Sequence, residues 1–425
     1  MQHLRRAALL GLLLAVLALC ASARFVPAHD AVVSYEGHQV LRFTVPSAAR
    51  AERAKLMAWI EAERLDMWGV HPEWVDVRLD KAFQARVSAL DLPFHVMVED
   101  LNADLLAERA SIAGSASAFF DTFRTYDEFN TYLDSLASTY PHLVTKKTIG
   151  KTIEGRAING IVITAPSNKT DKVGIVFNGG QHAREWIGPM TNAYIANQLL
   201  SLYDQDALIT LFLDEIEWSI FPIINADGYV YSWTNERLWR KNRRENKNSW
   251  FGCYGVDINR NWGFHWGEGG ASTDTCSETY RGANAFSEPE QSALAEYIKS
   301  QANVRGYIDW HSYSQLILGP WGWSTTVLPK DITKQNELAK LAVEAIKSVH
   351  GKAYQYGPSG PTLYVSSGGS NDYTYGALNV TYSYVVELRD TGRYGFVLPP
   401  SEIVPTGEES FAAVRVFANY ILRDL

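Results

Sequence analysis

Cysteine is scarce in this chain, three among 425 residues, which rules out a metal site closed by several thiolates. Basic charge is also in deficit: the net charge is −8, so nothing points to a nucleic-acid partner. Beyond the amino terminus no apolar run approaches the roughly 20 residues needed to cross a bilayer, and a mature protein that does not enter the membrane is expected. Internal repeats and low-complexity tracts are absent as well. What remains is an ordinary globular composition, over a length with room for a large core and more than one folded unit.

The first residues stand apart. Arg5 and Arg6 precede an apolar stretch from Ala7 to Leu19, and small residues follow at Ala21-Ser22-Ala23. This reads as a secretory signal over residues 1–23, the apolar part being too short for an anchor. Secretion to the outside is therefore expected, with a vacuole as the alternative destination. Removing the signal takes away Cys20 and leaves Cys253 and Cys276. An even pair in an oxidising compartment predicts one disulfide closing a polar loop, with buried free thiols as the alternative. Asn168-Lys-Thr170 and Asn379-Val-Thr381 fit the glycosylation sequon, the second lying close to the site proposed below.

Between residue 24 and about residue 115, strand-like runs (Gln39 to Val45, Val75 to Leu79, Phe94 to Val98) alternate with helical ones around Ala48 to Arg64 and Leu101 to Arg109. They predict a small α+β unit. Ala110 to Ala118 is rich in small residues and reads as a flexible linker that a protease could enter, with Arg109 at its edge. Over residues 116–425, strands are expected near Ile158 to Ile163, Gly174 to Asn178, Glu217 to Phe221, Tyr307 to Trp310 and Tyr382 to Glu387. Helices are expected at Trp186 to Leu202, Pro289 to Gln301, Thr333 to His350 and Glu408 to Leu422. This alternation predicts an α/β fold with a mixed, mostly parallel central sheet flanked by helices.

Chemistry concentrates at His182-Ala-Arg-Glu185. The tetrad follows an apolar run that ends in Gly179-Gly180, so the His-x-x-Glu pair is expected at the exit of a buried strand. His311 stands in the same relation to the run Tyr307-Ile-Asp-Trp310. Carboxyl ends of strands are where an open α/β sheet gathers its ligands. Two histidines and a carboxylate, with no cysteine nearby, match a catalytic zinc ion, which keeps one coordination position for water. One Zn2+ per chain is expected, held by His182, Glu185 and His311. His142, after Pro141 in a polar stretch, is expected in solvent.

A hydrolase built on such an ion needs a base for the attacking water and positive groups where an oxyanion forms. Glu387 follows the strand-like Tyr382-Ser-Tyr-Val-Val386, where a carboxylate is costly to bury without a partner or a task. It is either that base or the partner of Arg389. Arg240-Lys-Asn-Arg243 reads as a solvated basic face or a binding loop. Asn259-Arg260-Asn261 follows the partly apolar Gly255-Val-Asp-Ile258, which leads Asn259 and Arg260 inward. A guanidinium there offers paired donors matched to a carboxylate, the group carried by the free end of a peptide.

Five segments now stand in order: His182-Ala-Arg-Glu-Trp186, Arg237-Leu-Trp-Arg-Lys241, Gly255-Val-Asp-Ile-Asn-Arg-Asn-Trp262, Asp309-Trp-His-Ser-Tyr313 and Glu387-Leu-Arg-Asp-Thr-Gly-Arg-Tyr-Gly-Phe396. With them, the chain from about Phe119 to its end resembles the secreted zinc carboxypeptidases of the A/B family. The resemblance implies that His182, Glu185 and His311 bind zinc. Two histidines and a glutamate are the donor set for which carboxypeptidase A is known, so this agreement is carried over from the family. It further implies that Glu387 is the general base that later protonates the leaving amine, and that Arg240 steadies the oxyanion. Asn259 and Arg260 match the clamp for the terminal carboxylate, Tyr364 the mobile tyrosine that closes over bound peptide, and Arg184 a further substrate contact. Cys253 and Cys276 fall at a family disulfide. Residues 24–115 resemble a pro-segment that covers the site until an activating protease cuts near Arg109. The partners implied are that protease and the C-termini of peptides or proteins, and a monomer is expected.

The side-chain pocket departs from the family. Asn371 stands where A-type enzymes carry an apolar residue and B-type enzymes an aspartate, with Ser359 and Ser366 in the same region. A basic side chain would find no carboxylate there, which implies release of neutral C-terminal residues, Lys and Arg being poor. A catalytically silent member serving as a zinc-binding partner protein would share the fold, but Glu387 and Arg240 are both in place. A zinc deacylase acting on small acyl amino acids would not need the Asn259-Arg260 clamp, Tyr364 or a pro-segment. A serine hydrolase is set aside because no Gly-x-Ser-x-Gly elbow follows a strand.

Overall fold

Four short strands build a first sheet. These are β1 (His38–Phe43), β2 (Asp66–His71), β3 (Trp74–Asp80) and β4 (Phe94–Val98), antiparallel in the order β2-β3-β1-β4. Helices α1 (Arg50–Ala62), α2 (Gln84–Ser88) and α3 (Leu101–Gly114) complete the unit. Leu41, Phe43, Val75 and Val77 pack with Leu56 and Ile60 of α1, while Val40, Trp68 and Trp74 pack the other way, against Tyr313 and Phe396. This and everything below belongs to one unit, Ser34–Leu425, in a computed structural model that describes residues 32–114, 118–167, 169, 171–247 and 252–425. The signal segment, Cys20 and the Asn168 sequon lie outside the described residues. The linker expectation needs correction: α3 continues to Gly114, so Ala110 to Gly114 are helical and Arg109 lies inside a helix. Alanine-rich sequence is good helix former in context, and its small residues mislead when read as flexibility.

The second sheet is built by β5 (Val144–Lys151), β6 (Ala157–Ile163), β7 (Val173–Gly179), β8 (Ile216–Phe221), β9 (Val304–Ser312), β10 (Leu316–Gly319), β11 (Gln355–Pro358) and β12 (Tyr382–Leu388). Their order is β11-β10-β12-β9-β7-β8-β6-β5. The inner run β12-β9-β7-β8 is parallel, as is β10 with β11; β12 with β10, β8 with β6 and β6 with β5 are antiparallel. The sheet is therefore mixed and mostly parallel, as the alternation predicts. Its helices are α4 (Tyr126–Thr139), α5 (Ile187–Ser201), α6 (Ala207–Glu215), α7 (Ala226–Thr234), α8 (Pro289–Ser300), α9 (Ile332–His350), α10 (Ser359–Thr362), α11 (Ser370–Gly376) and α12 (Ile403–Arg423).

Strand alternation sorts the core into two layers. Ile175, Phe177, Trp218, Ile308 and Trp310 meet α5, α9 and α12 on one face, whereas Val176, Phe221 and Tyr307 meet α8 and Trp262 on the other. Phe177 lies edge-on to Trp218 and Trp310, with centroids 5.6 and 5.8 Å away; truncating such a side chain costs about 3–5 kcal/mol. The site depends on one feature of the strand order. The chain leaves β7 toward β8 on one side, while β9 and β12 lie on the other. Such a reversal opens a crevice at the strands' carboxyl ends.

Candidate metal centre

Gly179 and Gly180 turn the chain sharply out of β7. Gly180 has φ +59°, and a side chain on Gly179 would come within 2.7 Å of Asn192 Nδ2. His182 and Glu185 therefore lie in the turn that precedes α5, at the strand exit. His311 is the last residue but one of β9, which runs further than the apolar stretch suggests, so this histidine is inside the strand rather than after it. The three side chains converge. Glu185 Oε1 is 2.8 Å from His182 Nδ1, Glu185 Oε2 is 2.9 Å from His311 Nδ1, and the two Nδ1 atoms are 3.1 Å apart. All three residues are buried.

The far side of each ring is held by a carboxylate. His182 Nε2 is 3.1 Å from Asp257 Oδ1, and His311 Nε2 is 2.8 Å from Asp309 Oδ2. A ring that donates from Nε2 presents a bare Nδ1, the form that ligates a cation. The electrostatics favour positive charge among these side chains. Burial alone would lower His311, yet Asp309 and Glu185 outweigh it and hold the ring well above its usual range. Burial alone would raise Glu185, yet His182 and His311 outweigh it and hold the carboxyl low. Such a pocket favours positive charge at its centre, and His182, Glu185 and His311 are positioned to bind one metal ion.

Arg240 stands beside the triad, its Nη1 3.2 Å from His182 Nδ1 and its Nη2 donating to Asp257 Oδ2 at 2.7 Å. Burial would lower this guanidinium, but Asp257 and Glu185 outweigh it and keep it charged. Glu387 on β12 is the register partner of His311 on β9. Burial pushes its carboxyl up to about 8, with Glu185 and Asp309 adding and His311 and Arg240 opposing. The alternative partner is engaged elsewhere: Arg389 pairs with Glu402 and Glu409.

Asn259 Nδ2 is 3.3 Å from His311 Nε2, and its Oδ1 accepts from Ser370 N at 2.9 Å. Arg260 Nη2 donates to Tyr364 OH at 3.1 Å. Asn371 Nδ2 lies 3.3 Å from Ser359 Oγ, and its Oδ1 accepts from Asp372 N at 3.0 Å. His182, Glu185, Arg240, Asn259, Arg260 and Glu387 line a cavity of about 390 Å³, whose walls include Ser359, Ser366, Leu318 and Val385. Met57, Ile60 and Trp68 of the first sheet unit line it as well. Cys253 and Cys276 form the disulfide.

Arg184 is engaged by the first sheet unit, and Asn379 lies away from the expected place. Arg184 is fully buried outside the cavity lining, where Nη1 donates to both oxygens of Asp66 at 2.8 Å and Nη2 to Met67 O at 3.2 Å. Asn379 is exposed just before β12, at the end opposite Glu387, so this sequon is not close to the site. Several buried carboxylates had no assigned part in the sequence, among them Asp66, Asp257 and Asp309. The last could have been found, since strand alternation puts Asp309 on the same face as His311.

The comparisons with known proteins agree with this geometry. A family model described as zinc carboxypeptidase matches residues 129–413. Carboxypeptidase B of Astacus astacus is 44% identical over 301 residues, 71% of this chain and 97% of that protein. Carboxypeptidase A1 of Bos taurus is 37% identical over 405 residues, 92% of this chain and 95% of that protein. The crystal structure of the carboxypeptidase A from Helicoverpa armigera superposes with a TM-score of 0.83 at 30% identity, covering 92% of this chain and 98% of that one. The chain belongs to the zinc carboxypeptidase family and is a metallocarboxypeptidase with a site for one zinc ion.

Proposed function

We propose that the protein releases neutral residues one at a time from the C-termini of peptides and proteins, and that it is secreted as a zymogen covered by residues 24–115. The observation that carries the reading is the register pairing of Glu387 with His311 across β12 and β9, with Arg240, Asn259 and Arg260 around the same cavity. Zinc, when bound, supplies a Lewis acid for the scissile carbonyl and acidifies water. Arg260 and Asn259 bind the terminal carboxylate, for which Arg260 must exchange its bond to Tyr364. Arg240 donates to the developing oxyanion. Glu387 takes the proton of the attacking water and returns it to the leaving amine. The pocket around Asn371, Ser359, Leu318 and Val385 offers no charged partner to a C-terminal Lys or Arg, whose desolvation is then uncompensated. The matched relatives carry both A and B names, so the preference rests on these side chains.

The zymogen reading is supported by what the first sheet unit covers. Asp66 occupies Arg184, Glu108 holds Arg237 at 2.6 Å, Asp76 accepts from Tyr313 OH at 2.8 Å, and Trp68 packs on Phe396. Glu108 is pinned one residue before Arg109, so cutting there requires α3 to come away. No described helix is long and apolar enough to cross a membrane. Limited proteolysis followed by assays on peptides ending in Phe, Leu, Asn or Arg, with and without a chelator, tests the whole. Cleavage should raise a chelator-sensitive release of the neutral residues. Arg as the best substrate refutes the specificity, and full activity before proteolysis refutes the zymogen.

A further inference from the structure

Asp309, which holds the far side of the His311 ring, takes no part in peptide hydrolysis as described above, yet it is fully buried and donors surround it. Alternation along β9 puts Tyr307, Asp309 and His311 on one face, so this carboxylate stands directly behind the metal-facing histidine. Oδ2 is 2.8 Å from His311 Nε2 and accepts from Ser370 Oγ at 2.6 Å and from Gln181 Nε2. Oδ1 accepts from Asn178 Nδ2 at 2.6 Å, across the register pair formed by β7 and β9. A buried carboxylate is costly unless its lone pairs are filled, and these donors fill them.

Two groups approach His311 Nε2, and only one can accept a hydrogen bond from it. Asn259 approaches with Nδ2, a donor, its Oδ1 being occupied by Ser370 N. Asp309 approaches with an acceptor. We infer that Asp309 is a positioning residue for the metal site: by accepting a hydrogen bond from the Nε2–H of His311 it sets the tautomer whose Nδ1 faces the ion. Through Gln181 and Ser370 it also ties that ligand to the turn bearing His182 and to the helix bearing Asn371. The corresponding support of His182, Asp257, is shared with Arg240. Among the charged side chains of the described residues, the contacts of Asp309 run to His311 alone. Partners of this kind typically change metal affinity about 10- to 100-fold when removed.

The test uses the full-length, zinc-loaded chain. Competition with a chelator measures zinc affinity, and NMR of ¹⁵N-histidine-labelled protein reads the protonated nitrogen of His311. Wild type should show a slowly exchanging, deshielded Nε2–H for His311. Asp309→Asn should lose that signature and bind zinc about 10- to 100-fold more weakly. Zinc affinity unchanged in a folded Asp309→Asn overturns the inference. If that variant does not fold, the wild-type spectrum decides, since a proton on His311 Nδ1 overturns it equally. Neither readout involves peptide hydrolysis, so failure here and failure of the proposed specificity are distinguishable.

Discussion

Arg184 Nη1 donates to both carboxylate oxygens of Asp66 at 2.8 Å, joining two buried side chains 118 residues apart. Arg78 and Trp68 Nε1 also bind this carboxylate, at 2.9 and 3.0 Å. Removing one partner of a buried pair strands the other charge, at a cost of about 3–5 kcal/mol. Opening the interface returns Arg184 to water and relieves that cost, so Asp66→Ala should favour the open form. Activity of the uncut chain on a short peptide should rise about tenfold or more, each 1.4 kcal/mol being about tenfold. Uncut activity equal to wild type contradicts the covering role.

Glu387→Gln should lower kcat by about 10²- to 10⁴-fold, the usual contribution of a positioned base, with zinc content unchanged. Arg240→Ala should lower it by about 10²- to 10³-fold, as for loss of an oxyanion donor. Steady-state kinetics on one neutral substrate, with metal analysis of each variant, checks both. A Glu387→Gln enzyme as fast as wild type means the proton goes elsewhere.

Asn371→Asp should bring a carboxylate to the floor of the pocket. Release of C-terminal Lys or Arg should then improve relative to Phe by about tenfold or more, a charge-assisted bond being worth about 1.5–3 kcal/mol. Comparing kcat/KM for peptides that differ only in the last residue is decisive. An unchanged ranking shows that Asn371 does not contact the side chain.

Glu290, in the first turn of α8, gives a pH dependence of stability. Burial pushes its carboxyl from 4.5 up to about 7, against bonds from Ile153 N and Asn242 Nδ2. The folded value lies above the unfolded one, so the carboxyl favours folding below about 4.5, and that advantage is lost as pH rises through about 7. Glu290→Gln lacks this dependence. Its stability relative to wild type should rise between about pH 5 and pH 8 by up to about 3 kcal/mol, at 1.36 kcal/mol per unit. Thermal unfolding at both pH values measures it, and a constant difference contradicts the assignment.

His182, Glu185, His311 and Glu387 were readable because they stand at the ends of strongly apolar runs, whereas Arg240 and Tyr364 came only from the family resemblance. The runs Ile158 to Ile163, Gly174 to Asn178 and Glu217 to Phe221 differ from β6, β7 and β8 only at their ends. What escaped lacks that contrast. β5, with its lysines, is an edge strand and needs no apolar face. β10 and β11 are four residues each, too short for a period to register. α12 begins at Ile403 rather than Glu408, because Pro405 falls in the first turn, where its missing N–H costs no bond. Asp66 and Arg184 meet only in the folded chain, and no local pattern announces such a pair.

Anomalous diffraction at the zinc edge from crystals of the zinc-loaded protein tests the central claim most directly. A single strong peak should lie about 2.0–2.1 Å from His182 Nδ1 and His311 Nδ1 and about 2.0–2.2 Å from a Glu185 oxygen. A peak coordinated by other residues, or one that leaves His311 out, would contradict the account.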